Sequence, residues 1–305
     1  MINNKMSDVS VIGAGVMGSA LIEVLAASGA EVTAWNRTKE KAEALSGPRV
    51  HIAESTAEAL RSSPITIIVV SDQELSRTVV KKADADLNGR IVASTSFVTP
   101  DQARAFNSVV QEAGGRYLDL AIPAYPSEVQ SGSGVYLISG EQAAYEEHRD
   151  WFERIGRTTT YVGNTPGSAY ISEMAVLLAY LPMAVGLLQG LRICDKHNIS
   201  MEWFKKTALE LYPYQIRSLL GRVIVETDRS PANVEASINT WKIGVAEYAD
   251  YLREMDLDAG IYDEIHRLFT AASDAGHGDA DWTRIAEFTS MDRGGEGGSG
   301  KNKDK

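Results

Sequence analysis

Cysteine is nearly absent: Cys194 is the one thiol in 305 residues. No internal disulfide can form, which fits a reducing compartment, and a small buried apolar role is the ordinary one for such a residue. Basic charge is also short. The 30 Lys and Arg stand against 41 Asp and Glu, for a formal net charge of −11. A phosphate backbone calls for a basic face, so nucleic acid is not an expected partner. Histidine is sparse, and His51, His148, His197, His266 and His277 show no metal-ligand spacing, so no metal is expected. No GxSxG elbow is present, which leaves serine hydrolysis unsupported. Long apolar runs are missing too. The longest, Met174 to Leu188, is broken by Pro182 and Gly186 and falls short of the about 20 residues that span a bilayer. It is expected to be a helix buried in protein, with no membrane partner. The opening MINNKMSDVS is polar and lacks the apolar core of a signal peptide, so a soluble, cytoplasmic protein is expected.

What is present has two textures. Up to residue 166, short β-branched runs alternate with polar helical runs. DVSVIGAG, EVTAWNR, ITIIVVS, GRIVASTS and YLDLAIPA read as strands, with TKEKAEALS and TPDQARAFNSVVQEAG among the helices between them. Such alternation predicts an α/β fold, a doubly wound parallel sheet. GVYLISG and TTTYVG are expected as later strands at its edge. After GNTPG the apolar spacing turns helical, with candidates at 168–198, 201–212, 215–227, 233–255 and 260–275. The expected organisation is a nucleotide-binding domain over 1–166, an all-α C-terminal domain over 167–290 entered by a long interdomain helix, and a disordered Gly- and Ser-rich tail over 291–305.

The strongest motif is VSVIGAGVMGSAL, which sets Gly13-x-Gly15-x-x-Gly18 between a predicted strand and a predicted helix. In a dinucleotide site the first glycine makes the tight turn, the second lets backbone approach the pyrophosphate, and the third lets helix and strand pack closely. Val16 and Met17 then offer N–H groups at the helix N-terminus. At the end of the second strand, where NAD sites place an acid, the chain has Asn36, Arg37 and Thr38, followed by Lys41. An acid would repel a 2′-phosphate and arginine pairs with one, so NADPH is the expected cofactor. A flavin dinucleotide would also suit such a turn. Ser71, Ser94 and Ser96, at the ends of later strands, complete the expected cofactor set.

GSAYISEMAVLLAYLP holds a single ionisable carboxylate, Glu173, at the head of the most apolar stretch. A helix N-terminal Glu can simply favour the helix dipole. Taken with VIGAGVMGSAL, VTAWNRT, TPDQAR, GVYLISG and AGHGDADWTRIAEF, however, the stretch resembles the imine reductases and reductive aminases of the β-hydroxyacid dehydrogenase superfamily, between Val9 and Phe288. The resemblance implies an N-terminal Rossmann domain and NADPH-dependent reduction of C=N bonds. The wider superfamily carries a lysine at the slot of Glu173, where it stabilises a developing alkoxide. A carboxylate there would instead stabilise an iminium, or pass a proton to an imine nitrogen. Glu173, with Tyr180 one residue before the slot where the family has tyrosine, forms the expected catalytic set, and Phe97, Pro123, Tyr125, Tyr170, Leu181, Tyr214, Trp241 and Lys242 are the expected substrate pocket. Aromatic groups in that set could hold a cation by about 1–2 kcal/mol per desolvated contact.

The chain departs from the reductive aminases at Phe97, where they often have asparagine, and at Leu181, where they have tyrosine. Both changes weigh against building an imine from ketone and amine, and favour a preformed cyclic imine. Family members are homodimers with C-terminal helices swapped between subunits, so the same is expected here. The competing readings are a β-hydroxyacid-type dehydrogenase, disfavoured by the missing lysine, and a non-catalytic NADPH-binding protein.

Overall fold

The computed structural model describes residues 7–71, 73–96, 99–225 and 234–289. The expected tail at 291–305 lies outside the described residues. The chain divides into two compact units, with the boundary between Tyr180 and Leu181.

The first unit is built on eight strands: β1 (Val9–Ile12), β2 (Val32–Trp35), β3 (Val50–Ile52), β4 (Ile65–Ile68), β5 (Ile91–Ser94), β6 (Arg116–Ala121), β7 (Val135–Gly140) and β8 (Thr158–Tyr161). They form one sheet in the order β3-β2-β1-β4-β5-β6-β7-β8. All neighbours are parallel except β6 and β7, which pair antiparallel with Asp119 opposite Ser139. The central strands VSVI, ITII and IVAS are buried at every residue, as a sheet covered on both faces requires. The expected α/β, doubly wound sheet is therefore observed. Its direction of winding reverses between β1 and β4, and ligands of such sheets bind outside the strand ends at that reversal.

Seven helices cover or flank the sheet: α1 (Val16–Ala27), α2 (Lys39–Glu43), α3 (Thr56–Arg61), α4 (Gln73–Ala83), α5 (Pro100–Glu112), α6 (Pro126–Gln130) and α7 (Gln142–Ile155). Of these elements β3, α3, α4, α6 and α7 were not anticipated. β3 and α3 stand between the second helix and the strand ITIIVVS, and a three-residue VHI strand is too short to show a period. The start of α5 was legible: Thr99 accepts from the Gln102 N–H and the Gln102 side chain accepts from Thr99 N–H, a reciprocal cap followed by Pro100.

α8 (Ser168–Lys196) runs through the boundary between the units. The second unit continues with α9 (Met201–Val225), α10 (Ile238–Glu254) and α11 (Gly260–Ala272). The break expected near Pro213 is corrected: α9 is one helix with Pro213 inside it. A proline deletes its own backbone hydrogen bond, and the residues on both sides are good helix formers that keep the rest of the ladder. The ends expected at Thr227 and Asn233 lie outside the described residues. α10 and α11 pack through Ile238, Val245, Phe269 and Ala272, with Trp282, Ile285 and Phe288 against them. α8 meets α9 closely at Gly190, where a Cβ would lie 2.7 Å from the Phe204 ring.

The apolar run of α8 is largely exposed within the single chain. Leu178 is 64% and Leu188 63% exposed, and Val176 and Leu181 are exposed as well. Nothing among the described residues covers this strip. The full helix of 29 residues, longer than the apolar run alone, is long and apolar enough by length and composition to cross a membrane.

Candidate active site

The turn between β1 and α1 shows why each glycine is there. Gly13 has a φ of +112°, and a Cβ on it would lie 2.0 Å from the Val69 carbonyl oxygen at the end of β4. A Cβ on Gly18 would lie 1.9 Å from the Gly13 oxygen. Both positions are closed by the protein itself. Gly15 differs: a Cβ there meets no protein atom within 4 Å, so nothing inside the chain requires glycine. Gly15 caps α1 without a side-chain hydrogen bond, and no acid stands in the first turn. Val16 is 78% exposed, and Met17 packs on the core. The first-turn N–H groups lack partners within the helix, and the dipole there favours an anion. These residues fit a dinucleotide pyrophosphate.

The next strand end supports the turn from the side. Gly13 N–H donates to the Trp35 carbonyl (2.8 Å). Ala14 N–H donates to the Asn36 side-chain oxygen (2.9 Å), and the Asn36 amide donates to the Thr38 carbonyl (2.8 Å). Asn36 therefore braces the turn. Thr38 precedes α2 and its side chain makes no cap. Arg37 and Lys41 are exposed and form no ion pair among the described residues. Lys39 is occupied by Glu54 and Glu43. Across the sheet, Ser71 is exposed beyond β4, while Ser94, the last residue of β5, and Ser96 just after it are buried. The Ser96 hydroxyl bonds the Val70 carbonyl and the Ser76 hydroxyl, both at 3.2 Å. Phe97 lies outside the described residues.

The start of α8 is bonded into the sheet. The Asp119 carboxylate, fully buried on β6, accepts from the Tyr117 hydroxyl (2.6 Å), the Ser139 hydroxyl (2.7 Å) and the Gly167 N–H (2.6 Å). Ser139 in turn accepts from Ala169 N–H (2.9 Å). Burial pushes the Asp119 carboxyl above its ordinary range, and the three donors offset part of that. Tyr170 is 1% exposed, and its hydroxyl donates to the Ser94 carbonyl. Its expected place in a substrate pocket is corrected: it is a core residue, with a phenol that burial holds well above the ordinary value.

One turn further on, Glu173 is half-buried and makes no hydrogen bond or ion pair among the described residues. Burial alone raises its carboxyl above the ordinary range. Tyr180 follows two turns later on the same helix face, and its hydroxyl lies 3.4 Å from that of Tyr125. Tyr125 is set by α6, whose Glu128 side chain accepts from the Tyr125 N–H (2.7 Å). Pro123 is half-buried in the same loop. The first unit thus brings Tyr125 together with Tyr180 on the face that carries Glu173.

Leu181, Tyr214, Trp241 and Lys242 belong to the second unit. Leu181, Tyr214 and Trp241 are exposed there, and Trp241 lies 6.1 Å from the Trp282 ring. The Lys242 ammonium donates to the Ser273 hydroxyl (3.1 Å), which donates to Asn239. Among the described residues no group of His, Cys, Asp and Glu could hold a metal ion. Asp119 and Ser139 escaped sequence reading. The one signal was a lone acid inside the apolar strand YLDLAI, where an unpaired charge would be costly.

Residues 8–163 match the family model described as the NAD binding domain of 6-phosphogluconate dehydrogenase. An imine reductase from Myxococcus stipitatus, solved in complex with NADP+, is 28% identical with a TM-score of 0.84, covering 93% of this chain and all of that one. Glyoxylate/succinic semialdehyde reductase 1 of Arabidopsis thaliana is 26% identical over 199 residues, 64% of this chain and 68% of that protein. The cytokine-like nuclear factor N-PAC of Anopheles gambiae is 24% identical over 195 residues, 63% of this chain. The match spans only 34% of that factor's length.

Proposed function

The chain belongs to the family described as the NAD binding domain of 6-phosphogluconate dehydrogenase, and on that premise we propose that it reduces C=N bonds with NADPH, converting cyclic imines or iminium ions to amines. The observation that carries this reading is Glu173: a half-buried carboxylate with no partner among the described residues. A bound nicotinamide dinucleotide supplies the hydride. The chain's own part is to hold the pyrophosphate on the open end of α1 and to present Glu173 to the substrate nitrogen. A carboxylate about 4 Å from an iminium stabilises it by about 4 kcal/mol at an effective dielectric near 20, and a lysine would oppose it by as much. Tyr180 and Tyr125 add aromatic surface and hydroxyls on the same face. The exposed Arg37 and Lys41 favour a 2′-phosphate, in agreement with the NADP+ held by the Myxococcus enzyme. The Arabidopsis relative is named for carbonyl reduction, which makes an aldehyde acid the second reading.

NADPH oxidation followed by absorbance with a 1-pyrroline-type imine, glyoxylate and succinic semialdehyde separates the two. The imine should react at least about 100-fold faster than either aldehyde, a ratio that uses only ~3 kcal/mol of that charge effect. NADH should be the poorer reductant throughout. Comparable rates with an aldehyde would move the assignment to carbonyl reduction.

We further propose that a second copy of the chain covers the exposed strip on α8 and α9, with C-terminal helices exchanged. The first turn of α8 is tied to the sheet through Gly167, Ala169 and Tyr170, and Glu173 stands in its second turn. Both features favour a protein neighbour over lipid. Light scattering at micromolar concentration should give twice the chain mass; a monomer there would refute the dimer.

A further inference from the structure

We propose that Asp119 is a positioning residue for Glu173: from inside the sheet it fixes the first turn of α8, and with it the direction of the carboxylate one turn on. The proposal rests on the role given to Glu173 above. Three ties join that turn to three neighbouring strands. Gly167 N–H donates directly to Asp119 on β6, Ala169 N–H donates to Ser139 on β7, and the Tyr170 hydroxyl donates to the Ser94 carbonyl at the end of β5. Asp119 governs two of them, because Ser139 spends its one hydroxyl proton on the Asp119 carboxylate and so must accept from Ala169. The strand register places Asp119 and Ser139 opposite each other, so the pair acts as one cap supplied from outside the helix.

Geometry leaves the cap no slack. Gly167 has a φ of +95°, and a Cβ on it would lie 2.9 Å from Pro100 Cα. The chain enters α8 pressed against the start of α5, in a conformation that favours glycine. Tyr117 closes the other side of the carboxylate with its hydroxyl. The titratable groups around the cap are Tyr117, Tyr170 and, beyond Tyr170, Glu173 itself. Three donors point at the Asp119 carboxylate, so an amide in its place turns an N–H toward one of them and holds the others without the charge that strengthens such bonds. The turn then shifts. A misplacement of about 1 Å at a reacting group can cost 10²-fold in rate.

The test follows the Glu173 carboxyl directly in the cofactor-free full chain. Glutamate is labelled with ¹³C at the side-chain carboxyl, and the Glu173 signal is identified by its loss in Glu173→Gln. In Asp119→Asn the titration midpoint of that signal should fall toward the ordinary glutamate value, because a loosened turn admits water. Imine turnover should fall about 10- to 100-fold, with NADPH affinity unchanged because the β1–α1 turn is untouched. Ser139→Ala keeps the Asp119 charge and removes only the tie to Ala169; it should show a smaller change in the same direction. If Asp119→Asn does not fold, Ser139→Ala decides. A wild-type Glu173 titration in the folded variants overturns the proposal, even where imine reduction and its loss in Glu173→Gln are both observed. A shifted titration in a protein that reduces no imine upholds the positioning and removes the proposed reaction instead.

Discussion

Replacing Glu173 by glutamine should lower turnover of a cyclic imine by about 100-fold or more, while NADPH binds as before. Glutamine keeps the shape and loses both the negative charge and the acidic proton, so either role of the carboxyl is removed at once. A pH–rate profile of the wild type separates the two roles. If the ionised group steadies the cation, as proposed, the rate rises with pH through the Glu173 titration; a falling rate would assign proton delivery. The same variant has a stability signature of opposite sign. Burial holds the Glu173 carboxyl above its ordinary range, so the folded chain binds that proton more tightly than the unfolded chain. Ionisation then costs folding free energy, a cost absent below the unfolded pKa and complete above the folded one. Glu173→Gln should therefore melt higher than wild type at about pH 8 and level with it at about pH 4. A variant that is fully active, with an unchanged melting curve at both pH values, would remove Glu173 from the chemistry.

The second large effect separates two glycines of one turn. Gly13→Ala should lower stability by about 3 kcal/mol or more, combining a strained positive φ with an overpacked contact. The expected fall in melting temperature is roughly 6–12 °C, with or without cofactor. Gly15→Ala should melt like wild type without cofactor, because its methyl group meets no protein atom within 4 Å. Its NADPH dissociation constant should nevertheless rise about tenfold or more, equivalent to ~1.4 kcal/mol. Calorimetry and a cofactor titration on the two variants check both halves. Normal NADPH affinity in Gly15→Ala would mean that the pyrophosphate does not lie on this turn.

The glycine turn was legible in the sequence because its requirements are local: a strand, three glycines and a helix within ten residues. Glu173 was legible because one ionisable group among apolar neighbours stands out. Asp119 was not, since its meaning lies in Ser139 and Gly167, 20 and 48 residues away, and only the sheet brings them together. Asn36 was placed in the cofactor set by its position in the motif alone. Its two hydrogen bonds to the backbone of its own turn depend on a loop path that spacing does not encode. Pro213 was read as a break because a proline's local cost is plain, whereas the capacity of 25 helical residues to absorb it is not. The exposure of α8 was hidden for a different reason: composition reports how apolar a surface is, and not what lies against it.

The bracing by Asn36 has a practical side. On the proposed NADPH preference, retuning toward the unphosphorylated coenzyme would begin at that position with aspartate. The swap would keep the oxygen that receives Ala14 N–H and forfeit the amide that grips the Thr38 carbonyl. An aspartate at position 36 would thus act on the loop as well as on any bound coenzyme, and redesign has freer hands at Arg37 and Lys41.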